Sequence, residues 1–542
     1  MTATTSSTIT QTDPRAIELD SMALPARTAS RSSTKAVSNS QPQPEVRVVA
    51  SHTVRPISKW KATLIISTVA SVSLITNMAG GILIVALPTM ATDIGLHNDL
   101  LLWPASVSAL SCGCTLLLSG SIADAVGGRK IYLAGALLLT LSTIAIGLSR
   151  TGIELIIFRA VQGIALSLTL PAAVILVTSN IPEGTSRNIA FATLGGAQPL
   201  GFASGLVLGG VFAQTVGWRW GFYSGGILTF AVFVVLYLGI PKDPVADSQS
   251  ASTVLRRLKT EIDWIGISIL STCLGLLSYV LSVLAGGTSQ FVAPVPLTLT
   301  SIAVLLLPTF AVYSRRQERL GKQIVIPPSI WNNRVFTCLC ITIFITFGIF
   351  DVMLSFLTLF FQSVQGLSAL DASVRFLPLA LTGLLTNFVT GWLVKSIRAD
   401  GLVLCSTALS SVAPLLMAII NPEWSYWKCA FFAVASTPTC IDVLFTVSNL
   451  VITEVFPPQM HGLAGSVFNT ISSIGNSFAL AIAAVIASAV TLAETGKNES
   501  TQEMLMDGYR VTFWVCFGSN IVALAVIAFG LRKIGKVGLK QE

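Results

Sequence analysis

Residues 101–149 read LLWPASVSALSCGCTLLLSGSIADAVGGRKIYLAGALLLTLSTIAIGLS. Two apolar runs of about 20 residues, the length that crosses a bilayer as a helix, are joined by a short turn that carries Asp124, Arg129 and Lys130. Helices and closed barrels are the structures that satisfy all their backbone hydrogen bonds in lipid. The pattern therefore predicts a helical hairpin inside a membrane.

The same pattern continues in both directions along the 542-residue chain. Hydrophobic residues make up 53% of it and charged residues 11%, whereas soluble domains carry about 25% charged residues. We count fourteen apolar spans between residues 62 and 531, which excludes a disordered protein, a fibrous protein and a soluble enzyme. The predicted fold class is an all-α polytopic membrane protein with 14 transmembrane helices.

Polar stretches divide the fourteen spans into groups of six, two and six. Two six-helix halves that enclose a central cavity are a recurring transporter architecture, and here two extra helices lie between the halves. The predicted segments are a disordered Ser/Thr-rich cytoplasmic tail (1–58), an N-terminal six-helix half (59–241), a cytoplasmic loop (242–263), two linker helices (264–313), a second cytoplasmic loop (314–334), a C-terminal six-helix half (335–531) and a short cytoplasmic tail (532–542).

The basic residues indicate how the chain is oriented. The net charge is +8, and Lys and Arg concentrate in alternate loops, as the positive-inside rule predicts when both termini are cytoplasmic. This distribution accounts for the charge without a nucleic-acid partner. We expect the plasma membrane as the location, with the vacuolar membrane as the alternative. The sequon Asn498-Glu499-Ser500 falls in an outside loop, where Asn498 is a predicted glycosylation site.

The turn GSIADAVGGRK, residues 120–130, is the first candidate functional motif. Gly120 permits close helix approach, and Asp124 stands at a helix end within reach of basic groups and of a neighbouring helix N-terminus. Such a cluster can hold the cytoplasmic side in one conformation. An ordinary turn with positive-inside residues is the alternative interpretation.

This turn resembles the signature loop of the major facilitator superfamily, roughly G-x-L-A-D-R-x-G-R-R. Ala125 and Gly128 replace two of the usual basic residues, which implies a weaker charge latch. The resemblance implies alternating access, with a latch on the cytoplasmic side that is formed by Gly120, Asp124, Gly127 and Arg129.

The fourth span contains FRAVQG at residues 158–163. An arginine inside an apolar helix is costly unless it faces a cavity or a partner, and Gln162 follows Arg159 by one turn on nearly the same face. A side chain that snorkels to the outer interface is the alternative. The pair resembles the R-x-x-Q-G motif of the superfamily, in which the arginine is associated with proton coupling.

The fifth span carries a stripe of glycines that suits tight helix packing. It resembles the antiporter motif G-x-x-x-G-P-x-x-G-G of drug exporters, with Leu206 in place of the proline. The resemblance implies export by antiport, and helix packing alone is the alternative. The stripe consists of Gly201, Gly205, Gly209 and Gly210.

Two carboxylates lie deep in apolar runs of the second half, Asp351 in the ninth span and Asp442 in the twelfth. Either could exchange protons or pair with a cationic substrate, or could be a hydrogen-bonded structural residue. With Arg159 and Gln162 they form the predicted proton and substrate pathway. The ninth span is also rich in phenylalanine, which either lines a cavity for a flat apolar compound or faces core and lipid. These residues are Phe344, Phe347, Phe350, Phe356, Phe360 and Phe361.

Shorter motifs are similar to the fourteen-span drug:proton antiporter branch of the superfamily. They are IVALP at 84–88, WRW at 218–220 and RFLPL at 375–379. The branch has an acidic residue where this chain has Ala79. The segment LWPAS at 102–106 resembles fungal multidrug and secondary-metabolite efflux transporters in particular.

The sequence therefore predicts a secondary active transporter that exports a small organic compound (a drug, toxin or secondary metabolite) against proton entry. It contains no P-loop motif, no catalytic constellation and no Cys/His cluster, so we expect no enzyme activity, no cofactor and no metal. The alternatives are uptake of a nutrient, cation or siderophore, and a membrane sensor that does not transport. The expected partners are the substrate, protons and the bilayer, and the protein is expected to be a monomer.

Overall fold

The computed structural model describes residues 59–96, 100–181, 185–239, 251–260, 262–285, 294–322, 324, 326–394, 396–456, 461–494 and 500–531. Within these ranges the structure is built from helices and holds no strand, so the predicted all-α fold class is confirmed. The predicted tails (1–58 and 532–542) and the predicted glycosylation site Asn498 lie outside the described residues.

The first half of the protein consists of six long helices. They are α1 (Lys59–Ile94), α2 (Trp103–Val126), α3 (Gly128–Leu148), α4 (Gly152–Asn180), α5 (Thr185–Gln214) and α6 (Trp218–Gly239). A short helix and two longer ones follow, namely α7 (Ala251–Thr260), α8 (Trp264–Ala285) and α9 (Pro294–Arg319).

The second half has more helices because several of its spans are broken. They are α10 (Arg334–Leu359), α11 (Ala369–Arg375), α12 (Leu377–Leu393), α13 (Ala399–Ser410), α14 (Val412–Ile419), α15 (Ala430–Ser436), α16 (Thr439–Val455), α17 (His461–Glu494) and α18 (Thr501–Gly530). A π-helical turn, Phe360–Val364, extends α10. Pro378 and Pro438 stand at two of the breaks, where a residue without a backbone N–H group begins a new helix more easily than it continues one.

The number of membrane-spanning helices agrees with the prediction. By length and composition, 13 helical stretches among the described residues could cross a membrane, and 14 if α7 and α8, which meet at a bend of 60°, count as one span. The chain is a multi-pass membrane protein.

Side-chain caps fix where several helices begin. The Thr151 hydroxyl accepts a hydrogen bond from the Glu154 amide at the start of α4, and Asn333 accepts from two amides at the start of α10. Between α2 and α3, Gly127 adopts φ 109°, a backbone conformation that glycine tolerates best. The helical hairpin at residues 101–149 thus has a turn that its sequence favours.

The glycines of α5 allow this helix to lie directly against α1. A Cβ atom added at Gly209 would come within 2.9 Å of Ile82 Cα, and one added at Gly201 or Gly205 would collide with a backbone carbonyl of α1. Gly210 faces the other way, toward Ser373 of α11 in the second half. The stripe therefore packs helices within the first half and contacts the second half at one end.

The two halves meet in a hydrophobic cluster at the end of the molecule where α1 finishes and α2 begins. Ile84 and Leu206 of the first half pack there with Phe356, Phe361 and Phe376 of the second. A hydrogen bond from Gln362 Nε2 to the Val85 carbonyl, at 2.8 Å, crosses the same contact. The halves are therefore joined at this end.

Candidate transport cavity

A cavity of about 340 Å³ lies between the two halves. Its walls come from α1, α2, α3, α4 and α5 of the first half and from α10 and α17 of the second. Along α1 the lining runs from Val69 to Ile84, where the joining cluster begins. The cavity is thus bounded at one end by an apolar contact between the halves.

Arg159 of α4 lines this cavity and is held on two sides. Its Nε donates to the Pro104 carbonyl at 2.8 Å, and its Nη1 donates to Gln162 Oε1. Gln162 in turn donates to Thr143 Oγ1 at 3.0 Å. Arg159 is 7% exposed and Gln162 1% exposed, so these bonds offset part of the cost of burying a charge and fix the guanidinium in place.

Asp351 of α10 lines the same cavity from the second half. It lies close enough to Arg159 for an electrostatic attraction, but among the described residues no hydrogen bond or ion pair reaches its carboxylate. The structure therefore brings together three of the four predicted pathway residues, Arg159, Gln162 and Asp351, and it leaves the carboxylate facing the cavity.

Asp442 does not line the cavity. It lies on α16 against α12, where a Cβ atom added at Gly383 would be 3.2 Å from its Oδ2 and where Asn387 is within hydrogen-bonding reach. Pro438 precedes α16 directly, and the apolar sequence pattern does not show which way Asp442 faces. A role for Asp442 in the proton pathway stays a prediction.

The sequence profile described as Major Facilitator Superfamily matches residues 69–480 of the chain. The chain belongs to the major facilitator superfamily. As a member it is a secondary transporter, and the resemblance noted from the signature loop is confirmed.

Relatives of this chain within the superfamily include several fungal proteins. It is 39% identical to MFS-type transporter 1 of Pyricularia oryzae, over 89% of this chain and 85% of that protein. It is 23% identical to the efflux pump terJ of Aspergillus terreus (87% and 88% covered) and 24% identical to the low affinity ammonium transporter of Saccharomyces cerevisiae (88% and 89%).

A solved structure supports the fold alone. A bacterial homolog of the human lysosomal transporter Spinster, crystallised in an inward-facing and unoccupied conformation, matches with a TM-score of 0.60. The match covers 88% of this chain and 98% of that one at 15% identity.

Two residues of the superfamily signature loop contact neighbours in the first half and in α7. Arg129 Nη2 donates to the Tyr237 carbonyl at the end of α6, at 3.2 Å. Arg257 on α7 attracts the Asp124 carboxylate electrostatically, and α7 packs against α2. An attraction on Asp124 thus comes from the segment between the halves, which the motif alone did not indicate.

Gly120 is less crowded than we expected from the motif. A Cβ atom added there would lie 3.8 Å from Pro171 Cβ and 4.0 Å from Ser466 Oγ, which are ordinary van der Waals distances. The tight contact between α2 and α17 is at Gly113 instead, where an added Cβ atom would be 3.1 Å from side-chain atoms of Ser473 and Ile474.

The phenylalanines of the ninth span do not line the cavity. Phe356, Phe360 and Phe361 are buried in the cluster that joins the halves, and Phe344 is 38% exposed. None of the six phenylalanines is among the lining residues of this cavity, which favours the interpretation that they face the core and lipid.

Sequence reasoning missed most of the polar lining. Amide side chains from three helices face the cavity in addition to Gln162, and so do several hydroxyl groups. An amide within an apolar span is a usable signal, because burying it without a partner is costly. The missed amides are Asn77, Gln198 and Asn476.

Proposed function

We propose that this transporter exports a small organic compound in exchange for protons by alternating access, with Asp351 as the group that binds the proton. One observation carries the proposal: a fixed cation of the first half and an unpaired carboxylate of the second half face the same cavity. The relatives named efflux pumps support the direction of transport.

Protonation of Asp351 changes the interaction between the halves. The charged carboxylate attracts Arg159 across the cavity, and the protonated carboxyl group does not. A substrate group that pairs with the charged carboxylate competes with the proton for it. Because proton and substrate then favour different states of the same cavity, the gradient of one drives transport of the other.

The remaining predicted residues have supporting roles in this proposal. Gly120, Asp124, Gly127 and Arg129 stabilise the closed cytoplasmic side, and the glycines of α5 keep α1 and α5 together as one body. The protein lies in the plasma membrane with both termini cytoplasmic.

The test is the accumulation of a panel of drugs and metabolites in cells with and without the protein, at acidic and at neutral external pH. We expect lower accumulation of some compounds when the protein is present, and only with an acidic exterior. Asp351→Asn should abolish this difference at unchanged protein level, because an amide cannot bind the proton, whereas Asp351→Glu should retain part of it.

Two outcomes would contradict the proposal. Proton-dependent export that survives in Asp351→Asn would exclude this carboxylate as the coupling group. Higher accumulation in cells with the protein would make it an importer. Uptake is the second candidate function because one relative is named a low affinity ammonium transporter.

A further inference from the structure

The cavity wall is rich in side-chain amides. Asn77, Gln162, Gln198 and Asn476 come from four different helices, and Asn476 belongs to the second half. Each is placed on a helix whose other positions are largely apolar. Polar side chains at such depth are costly unless they hydrogen-bond to protein, water or ligand.

Much of the hydrogen-bonding capacity of the wall is unused by the protein itself. Thr76 Oγ1 is buried without a partner. Among the described residues, the Gln198 amide and the Ser355 hydroxyl also make no hydrogen bond. The Asn77 amide nitrogen donates to the Ser73 carbonyl at 2.8 Å, which leaves its oxygen available. These groups offer both donors and acceptors to whatever enters the cavity.

Aromatic surface is scarce in the same cavity. Tyr132 and Phe202 are the aromatic side chains among its described lining residues. Large lipophilic cations are bound through aromatic faces, by stacking and cation–π contacts, and this wall offers few of them. The volume of about 340 Å³ is near the lower limit of about 300–1,000 Å³ for small-molecule sites.

The charges of the lining balance. The described lining contains one guanidinium, Arg159, and one carboxylate, Asp351. A ligand with a large net charge of either sign would face one of these two groups as a like charge at short range. The charge of the lining, the volume of the cavity and the polarity of its wall therefore all favour a small polar ligand without a large net charge.

We propose that the cavity takes a compact hydrophilic solute of zero net charge, rich in hydrogen-bond donors and acceptors, and does not select large lipophilic cations. This inference rests on the proposed function, since it assigns the substrate class of the same cavity. A hydroxyl or ammonium group of such a solute donates to the charged Asp351 carboxylate, and it thereby competes with the proton.

The test measures ligand binding as a rise in the thermal unfolding midpoint of the purified full-length protein in detergent, at fixed pH. A ligand that binds the folded state raises this midpoint. The hydrophilic probes are glutamine, mannitol and N-acetylglucosamine, and the lipophilic cations are tetraphenylphosphonium and rhodamine 6G. We expect at least one hydrophilic probe to raise the midpoint in a saturable way, with no saturable rise for the cations.

Two variants connect the binding to the wall. Thr76→Val keeps the shape of the side chain and removes the unpartnered hydroxyl, so it should raise the unfolding midpoint of the ligand-free protein. It should also lower the affinity for the probe by about tenfold, which corresponds to the loss of one buried hydrogen bond. Gln198→Leu should weaken the probe at least as much. Asn449→Leu is the matched control, because Asn449 is an exposed amide on α16 outside the cavity, and it should leave binding unchanged.

Several results would overturn the inference: saturable stabilisation by the lipophilic cations alone, no stabilisation by any hydrophilic probe, or binding that Thr76→Val and Gln198→Leu leave intact. Because no pH gradient is applied, this test is separate from that of proton coupling. Hydrophilic binding without proton-dependent transport would refute the proposed function alone, and proton-dependent transport of lipophilic cations would refute the substrate class alone.

Discussion

At position 159 a positive charge lies inside the membrane-spanning part of the protein, and its neighbours determine what can replace it. The guanidinium reaches the Pro104 carbonyl and Gln162 with two different nitrogens. A lysine ammonium group is a single point charge and cannot reproduce this two-sided geometry. The position therefore requires the shape of arginine as well as its charge.

We expect Arg159→Lys to reduce transport by about tenfold or more, in line with the loss of one charge-assisted hydrogen bond. Transport of the compound identified in the accumulation assay measures the effect, with membrane protein level as the control. Arg150→Lys changes an exposed arginine at the start of the same span and should have no effect. Full transport by Arg159→Lys would show that charge alone suffices.

The candidate site shows how far single residues can be predicted. Arg159, Gln162 and Asp351 stand out because charge and amide groups are rare in apolar spans, and the structure brings them together. Asp442 satisfies the same criterion and lies elsewhere. The difference depends on which face of a helix points to the cavity, and packing between distant segments sets that.

At the scale of helices, the spacing of small residues predicts a close contact that the structure contains. Gly201, Gly205 and Gly209 of α5 face α1, and an added methyl group at Gly205 would collide with the Met78 carbonyl. The sequence did not indicate which helix would be the partner. Nor did the sequence indicate where the two linker helices lie. One of them, α8, packs against both α2 and α17, and its Ser271 hydroxyl donates to the Cys114 carbonyl at 2.9 Å.

We expect Gly205→Ala to lower the free energy of unfolding by about 1–3 kcal/mol, the usual cost of forcing an extra group into a packed contact. Gly196→Ala, on the same helix, is the matched control, because an added Cβ atom there meets nothing within 4 Å. The thermal unfolding midpoints of the purified proteins compare the two. Equal midpoints would mean that α1 and α5 can separate without cost.

At the scale of the whole molecule, the proposed alternating access requires that the joined end of the two halves open. The apolar cluster and one cross-half hydrogen bond, from Gln362 Nε2 to the Val85 carbonyl at 2.8 Å, hold it closed. Gln362 lies in the π-helical turn after α10, and such turns are frequent at functional sites. The regular periodicity of an apolar span gives no sign of this turn, so the sequence did not predict the bond.

Because the Gln362 bond exists in this conformation and stretches when the end opens, its loss should shift the population toward the open state. A hydrogen bond contributes about 0.5–1.5 kcal/mol net, which corresponds to a shift of the equilibrium between the closed and open states by about 2- to 12-fold.

The reporter is Leu206→Cys, since Leu206 is 1% exposed within the apolar cluster that joins the halves and becomes accessible when the halves part at this end. A membrane-impermeant maleimide labels that cysteine when it is accessible. We expect Gln362→Ala to increase the labelling rate by this factor, relative to the protein with Leu206→Cys alone.

Protein with its native cysteines only gives the background labelling. Gln365→Ala is the matched control, because Gln365 donates to the Pro422 carbonyl, which belongs to the same half. An unchanged rate in Gln362→Ala would mean that the apolar cluster alone sets the closed state, whereas an equal increase in Gln365→Ala would assign the effect to local loosening of the turn.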